Sequence, residues 1–267
     1  MKFFFLAIIV FVNIFSGVGQ TSISPHVFNS AGTQLQTTNG GMDMNIGEPL
    51  TASISGNGKL ITQGFLQSVS SATLNLTAFL EGFYTVGGTM RSTLYNLGYN
   101  TDSTASDSIK VSLWLPAHTS NSAADYSVKV ILHNHGNASV ALPYALGSSY
   151  YIAVNHRNHL ETWSSNPVTF ADITSYDFTT AQSKAYSNGS NQPMKNMVGG
   201  MFAFYAGDVN NDGLVDLTDM AILDNDATSF LYGYNASDCN GDGATGMADA
   251  ALVENNAQLF LFLARPY

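Results

Sequence analysis

Apolar and polar side chains alternate along the segment Ser108-Ile109-Lys110-Val111-Ser112-Leu113-Trp114-Leu115. Successive side chains of a β-strand point to opposite faces, so this alternation predicts a strand with one face in a core. The same pattern occurs at residues 74–80, 126–132 and 150–154, and polar stretches rich in Gly and Ser separate these segments. Many short strands without intervening helical periodicity predict a β-sandwich, with immunoglobulin-like and jelly-roll topologies both open.

Upstream of this predicted sandwich, a second alternating region surrounds the turn Gly56-Asn57-Gly58. Asn-Gly between alternating segments is a strong hairpin signal, which predicts strands at 40–55 and 59–67. We therefore expect an N-terminal β-unit at residues 20–70 and a β-sandwich domain at residues 71–205.

The first nineteen residues have the pattern of a signal peptide. Lys2 precedes an apolar run over residues 3–12 that is too short to span a bilayer, and Gly17 and Gly19 form a small-x-small cleavage pattern. We expect residues 1–19 to be removed and the mature chain to be secreted, either extracellular or on the cell surface.

Composition excludes several classes of protein. Charged residues make up 10% of the chain, and the net charge of −10 argues against a nucleic-acid partner, which requires clustered Lys and Arg. After the signal peptide, no apolar run is long enough to predict a membrane span. Cys239 is the single cysteine, so stability outside the cell must come from packing or from a metal rather than an internal disulfide.

The pattern changes after Gly207 into a repeat with an offset of 30 residues. Asp-Val-Asn-Asn-Asp-Gly at 208–213 aligns with Asp-Cys-Asn-Gly-Asp-Gly at 238–243, and a helical segment follows each. A loop followed by a helix, present twice, predicts a compact module at residues 206–267.

Oxygen-bearing residues occupy alternate positions of each twelve-residue loop, which is the pattern of an EF-hand calcium site. The first loop offers Asp208, Asn210, Asp212, the Leu214 carbonyl, Asp216 and Asp219 at positions 1, 3, 5, 7, 9 and 12. The second offers Asp238, Asn240, Asp242, the Ala244 carbonyl and Asp249, with Gly246 at position 9. We predict two calcium ions as cofactors, the second bound more weakly because position 9 lacks a side-chain ligand.

The two loops resemble a dockerin module, and more closely the dockerin-like C-terminal segments of secreted Bacteroidetes proteins of unassigned function. Short upstream motifs extend the resemblance over most of the mature chain, at residues 46–49, 60–67, 79–84, 150–163 and 176–180. Members of that group often continue into a sorting domain for type IX secretion, whereas this sequence stops at Arg265-Pro266-Tyr267. The resemblance implies calcium binding and leaves the mode of surface attachment open.

Three weaker motifs suggest other sites. His156, His159 and Glu161 are possible zinc ligands, although a polar strand end with paired charges is the preferred interpretation. Trp114 and Trp163 are candidates for a sugar-stacking platform, with core packing of Trp114 preferred. Asp102-Ser103-Thr104 and Asp107-Ser108-Ile109 resemble O-glycosylation sites in a polar loop.

The sequence contains no nucleophile elbow, phosphate loop or dinucleotide fingerprint, so we expect no enzyme activity. The preferred hypothesis is a non-catalytic, calcium-stabilised structural or adhesion protein whose partners are copies of itself, a surface protein or glycans. The alternatives are an assembly module that docks on a cohesin-like partner and a carbohydrate-binding module. Exposed apolar helix faces around Met220, Leu223, Leu252 and Val253 would favour docking.

Overall fold

A computed structural model describes residues 31–37, 40–46, 54–56 and 59–61 by their backbone, and residues 72–121, 123–142, 149–189 and 192–267 with their side chains. The predicted signal peptide lies outside the described residues. The chain divides into two compact units, residues 1–68 and residues 69–267.

The first unit contains two antiparallel hairpins. Strand β1 (Ala31–Thr37) pairs with β2 (Gly40–Ile46), and β3 (Ile54–Gly56) pairs with β4 (Lys59–Ile61). Ile54 lies opposite Ile61, so the two segments beside Asn57 pair as the turn motif predicts. Strand β1 has no counterpart in the prediction, and residues 47–53 of the predicted strand 40–55 lie outside the described residues.

The second unit contains the remaining strands and the helices. They are β5 (Ala72–Thr77), β6 (Tyr84–Thr85), β7 (Thr89–Met90), α1 (Thr93–Asn96), β8 (Ala105–Trp114), β9 (Tyr126–His133), β10 (Asn137–Leu142), β11 (Ser149–Asn155), β12 (Thr162–Trp163), β13 (Val168–Thr169), β14 (Ile173–Asp177), β15 (Lys195–Asn196), β16 (Phe202–Ala203), α2 (Leu217–Thr228) and α3 (Met247–Ala257). We refer to residues 72–205 as the β-domain and to residues 206–267 as the C-terminal module. That boundary is taken from the sequence and stays a prediction.

Two sheets form the body of the β-domain. One has the order β10-β5-β14, in which β14 is parallel to β5, and the other has the antiparallel order β12-β11-β8-β9, with β13 also on β11. Leu74 and Leu76 of the first sheet and Val111 and Leu113 of the second lie in one buried apolar cluster. The prediction of a mainly β fold with a helical C-terminal module is therefore confirmed.

Strand β8 has two differently used faces. Ile109, Val111 and Leu113 enter the core between the sheets, as alternation requires. Trp114 belongs to a second, smaller buried cluster, which contains Ala153 and Trp163. Core packing of Trp114, the preferred interpretation, is thus what the structure shows.

Helices α2 and α3 repeat one arrangement, apart from the residue that precedes each of them. Asp216 caps α2, and its Oδ1 accepts from the amide of Thr218 at 2.7 Å, whereas Gly246 precedes α3 without a side-chain cap. The two helices pack through Leu223 and Val253, which are fully buried. Among the described residues, no helix has the length and apolar character needed to cross a bilayer.

Candidate metal centre

The two acidic loops share a set of hydrogen bonds at equivalent positions. In the first, Asn210 Oδ1 accepts from the Asp212 amide at 2.9 Å, and Asp212 Oδ1 accepts from the Leu214 amide at 2.9 Å. Thirty residues later, Asn240 Oδ1 and Asp242 Oδ1 accept the corresponding bonds at 2.8 and 2.9 Å. The sequence repeat is therefore a structural repeat.

The last acidic residue of each loop closes it. Asp219 Oδ1 accepts from the Asn210 amide at 3.1 Å, and its Oδ2 accepts from the Asp216 amide at 3.0 Å. Asp249 forms the equivalent bonds in the second loop, both at 2.9 Å. Gly213 and Gly243 each have φ of +86°, the left-handed region that glycine adopts without steric cost. The sharp bend at position 6 explains why both loops have glycine there.

Burial makes the first aspartate of each loop difficult to ionise without a cation. It raises the pKa of Asp208 to about 7, and the nearby Asp219 and Asp212 carboxylates add to this shift. Burial likewise raises the pKa of Asp238 to about 6, although Arg157 opposes the increase. A bound divalent cation would favour the ionised forms of these carboxylates.

An unpaired buried oxygen supports a cation in the first loop. Asp208 Oδ2 accepts from the Gly213 amide at 3.2 Å, but Oδ1 is buried and has no hydrogen-bond partner among the described residues. Such an oxygen is costly unless a partner or a metal satisfies it. The donor set is all oxygen, as calcium prefers. The loops therefore fit calcium.

The carboxylates are only part of the predicted ligand set. In the described part of the chain, no three His, Cys, Asp or Glu side chains cluster tightly enough to hold a metal by themselves. Asp216 is half-exposed and is used as the cap of α2. The assignment of calcium to the loops therefore depends also on the side-chain amide oxygens of the asparagines and on main-chain carbonyl oxygens. The individual ligands stay a prediction.

The second loop is packed against the β-domain. Thr93 Oγ1 donates to the Gly241 carbonyl at 2.7 Å, and Asn158 Nδ2 donates to the Asp238 carbonyl at 2.8 Å. A Cβ atom added at Gly82 would lie 2.0 Å from the Cys239 carbonyl oxygen, so glycine is required for this approach. Residues 203–209, which connect the β-domain to the first loop, are all buried.

A buried polar network connects the β-domain to this loop. Arg157 Nε donates to Asp107 Oδ2 at 3.1 Å, and its Nη2 lies 3.6 Å from Asp238 Oδ2. Tyr234 donates its hydroxyl proton to Asp107 Oδ1 at 2.5 Å, and the guanidinium lies 4.6 Å from the centre of the Tyr234 ring. Although burial raises the pKa of Asp107, His156, Arg157 and Tyr234 together lower it to about 2. Asp107 is therefore a buried carboxylate that stays ionised.

The position of Asp107 in this network corrects the predicted start of strand β8 and the placement of the Asp107-Ser108-Ile109 motif in a polar loop. Asp107 was expected in a polar turn with Ser108 as a glycan acceptor, but β8 begins at Ala105 and fully buries Asp107. Ser108 Oγ lies 3.2 Å from the Tyr234 hydroxyl. The strand begins earlier than predicted, and the apolar alternation does not extend to its start, because Ala105, Ser106 and Asp107 are buried in succession and the pairing with β9 is irregular between Ala105 and Asp107.

The zinc alternative is wrong. His156 and His159 are buried with their Nδ1 atoms 3.0 Å apart, and burial lowers the pKa of each. Glu161 does not join them, because its Oε1 accepts from the Trp163 indole at 2.7 Å. The two histidines instead pack edge-on against Phe83.

Comparison with known proteins identifies the C-terminal module. The family model described as the dockerin type I domain matches residues 206–257. This segment is a dockerin type I domain. Two solved structures, both interface mutants of a type II cohesin-X-dockerin complex from Acetivibrio cellulolyticus, align with 13% and 12% identity and TM-scores of 0.42 and 0.39. Each alignment covers 69% of this chain and 94% of that chain. No curated protein matches the chain.

The dockerin domain buries or half-buries the helix positions whose exposure would favour docking, so those faces do not support it. Leu223 and Val253 form its own core, with Met220 and Leu252 packed partly buried against them. A different apolar set is exposed, again at an offset of 30 residues, and it consists of Leu217, Met247, Phe230 and Phe260. We refer to these four residues as the exposed apolar set.

Its members occupy equivalent positions in the two halves. Leu217 and Met247 are the first residues of α2 and α3, and their side chains are 82% and 91% exposed. Phe230 and Phe260 follow the helices, and both have φ of +52°, an uncommon conformation for a bulky residue. Leu217 and Phe260 also line a groove of about 1010 Å³ between α2 and the end of α3.

Proposed function

We propose that this chain is an extracellular assembly protein whose calcium-loaded dockerin domain docks on a cohesin-like receptor. Dockerin domains bind cohesin partners and calcium. The observation that carries the proposal is the exposed apolar set, of which Leu217 and Phe260 line one apolar groove, because exposed apolar surface of this kind marks interaction sites. The signal peptide predicted at residues 1–19 supports an extracellular location.

This function was the alternative to a structural or adhesion protein, and the dockerin domain favours it over that first hypothesis. The groove beside Leu217 and Phe260 offers a concave apolar surface for a protein partner. The β-domain has no assigned activity, and the absence of catalysis stays a prediction.

Calcium enters the proposal by shaping the helix starts. The proposed ligands of the first loop end at Asp219 and those of the second at Asp249, and both residues lie in the first turn of a helix. A bound calcium ion would neutralise the carboxylates of each loop and thereby fix the start of the helix that follows. Leu217 and Met247 are the first residues of these two helices. We therefore expect docking to require calcium.

The test is binding of the full chain to a panel of immobilised cohesin domains, measured by interferometry in calcium and in EDTA. Replacing Leu217 and Met247 together by Lys removes two apolar anchors. At about 1.5–3 kcal/mol for each buried side chain, the affinity should fall at least 100-fold.

The matched control replaces Val86 and Val198 by Lys. Both valines are highly exposed on the β-domain, so the control adds the same charge elsewhere. Equal losses in the two double variants, or binding unaffected by EDTA, would contradict docking through the exposed apolar set.

A further inference from the structure

The groove beside Leu217 and Phe260 has charges of only one sign in its lining. Asp216, Asp224 and Glu254 line it, and no lysine, arginine or histidine does. Asp216 caps α2 and is a proposed calcium ligand, so its charge already has a role. Asp224 and Glu254 occupy equivalent positions in the two halves, at the offset of 30 residues, and both are exposed. The two helices therefore place two further carboxylates beside the apolar surface.

These two carboxylates have no neutralising cation in the part of the chain that the structure describes. Neither Asp224 nor Glu254 forms an ion pair there. Lysine and arginine are absent from α2 and α3, so no pair within a helix can neutralise them. Glu254 lies in the last turn of α3 and Asp224 just before the last turn of α2, where a carboxylate interacts unfavourably with the helix dipole. Their charges therefore do not stabilise the helices that carry them.

The charge of the C-terminal module argues against a second copy of this chain in the groove. Residues 206–267 contain ten acidic residues and one basic residue, Arg265. Two calcium ions would neutralise less than half of this excess negative charge. The whole chain has a net charge of −10, so a second copy would bring acidic surface against the acidic groove. Like charges placed together at an interface are unfavourable, whereas a basic partner would be attracted.

We propose that the groove receives a segment of the receptor in which lysine or arginine side chains flank an apolar residue. The apolar residue would pack beside Leu217 and Phe260, and the cations would pair with Asp224 and Glu254. This inference rests on the proposed docking function and narrows it to receptors with a basic docking face. Exposed charge pairs of this kind act mainly on the rate of association and on the rejection of wrongly charged partners.

The test measures association of the calcium-saturated full chain with immobilised cohesin domains whose docking faces are basic, neutral or acidic. Interferometry from about 50 to 500 mM salt gives the rate constants, and exposed charges are screened at the upper end. Asp224→Lys and Glu254→Lys, made singly, should each lower the association rate constant for the basic receptors about three- to ten-fold at low salt. The matched control is Asp172→Lys, because Asp172 is exposed on the β-domain and does not line the groove.

The melting temperature separates recognition from a structural role. Lysine near a helix C-terminus interacts favourably with the helix dipole, so both variants should keep or slightly raise the Tm in calcium while association slows. Asp224→Asn and Glu254→Gln remove the attraction without adding repulsion, so they should slow association less than the lysine variants do. Slower association accompanied by a lower Tm in every variant would assign the two carboxylates to folding and contradict the proposal.

Failure of this inference is distinct from failure of docking itself. Cohesin binding that Asp224→Lys and Asp172→Lys affect equally, or that is confined to acidic receptors, would refute the basic partner and leave docking through the exposed apolar set intact. If no cohesin domain binds, the proposed function fails, and two immobilised peptides decide the present inference. They share the same leucine and phenylalanine residues and carry either lysine or glutamate between them. Only the lysine peptide should bind, and equal binding of the two, or none at millimolar concentration, would overturn the inference.

Discussion

Replacing Gly246 by Asp should convert the second calcium loop into a copy of the first. Gly246 has an extended backbone with φ of −165°, and a Cβ atom added there meets no heavy atom within 4 Å. At the equivalent position, Asp216 accepts from the Thr218 amide at 2.7 Å. The new carboxylate would therefore cap α3 and supply position 9 of the loop.

The expected change in the free energy of unfolding combines helix capping, the charge at the helix N-terminus and repulsion between carboxylates. A capping Asp in place of Gly contributes a few tenths of a kcal/mol, and its charge at a helix N-terminus adds about 0.3–1 kcal/mol. In EDTA these gains are opposed by repulsion from the Asp238 and Asp249 carboxylates, so the net change should be near zero or unfavourable. With calcium the repulsion is removed, and the variant should gain about 1 kcal/mol, with calcium bound at least five-fold more tightly.

The assay is urea unfolding of the full chain in calcium and in EDTA, combined with calorimetric calcium titration. Asp216→Gly is the reciprocal variant and should weaken the first loop by a similar amount. Equal stabilisation of Gly246→Asp in calcium and EDTA would show that the carboxylate only caps the helix. No gain in calcium would refute the reasoning entirely.

Three further perturbations test the buried polar groups and the packing of the second loop. Arg157→Met leaves the buried Asp107 carboxylate without its cation and should cost about 3–5 kcal/mol in urea unfolding, and a loss below about 1 kcal/mol would contradict the network. Burial raises the pKa of Asp208 to about 7, so the folded chelated protein binds a proton there more tightly than the unfolded chain. The lowered pKa values of His156 and His159 act in the opposite direction only below pH 6.5, so the Tm in EDTA should fall between pH 6.5 and about 8. With calcium the trend should reverse, because protons compete with the metal, and a Tm in EDTA that rises over this range would be the opposite of the expected result. Gly82→Ala places a Cβ atom 2.0 Å from a main-chain oxygen of the second loop and should cost at least about 2 kcal/mol in urea unfolding, whereas an unchanged midpoint would show that the approach is not tight.

Local patterns predicted much of the fold. Strands β5, β8, β9 and β11 match predicted segments to within a few residues, because each alternates large apolar residues with polar ones. Strand β10 was missed although it also alternates, since its inward residues include the small Ala138. Strand β14 was missed because Ile173 is 70% exposed, which obscures its alternation.

The candidate site was predictable in its loops but not in its surroundings. The calcium pattern is local, and the structure repeats its hydrogen bonds in both halves. The network around Asp107 joins residues up to 131 positions apart, from Asp107 to Asp238 through Arg157, and a single sequence contains no signal for such pairing. The sequence left the docking surface open, because each helix has apolar residues on more than one face, and only packing shows which face is buried.

The buried connection at residues 203–209 has a mechanical consequence for any assembly that this protein joins. A flexible linker of n residues has an end-to-end distance of roughly 5–6 Å times the square root of n, so it would let the β-domain move relative to the dockerin domain over that distance. Here the chain passes directly from the β-domain core into the first calcium loop, and Leu160 and Tyr205 share an apolar cluster with Leu223 and Val253. A receptor that binds the dockerin domain would therefore also fix the orientation of the β-domain relative to the receptor.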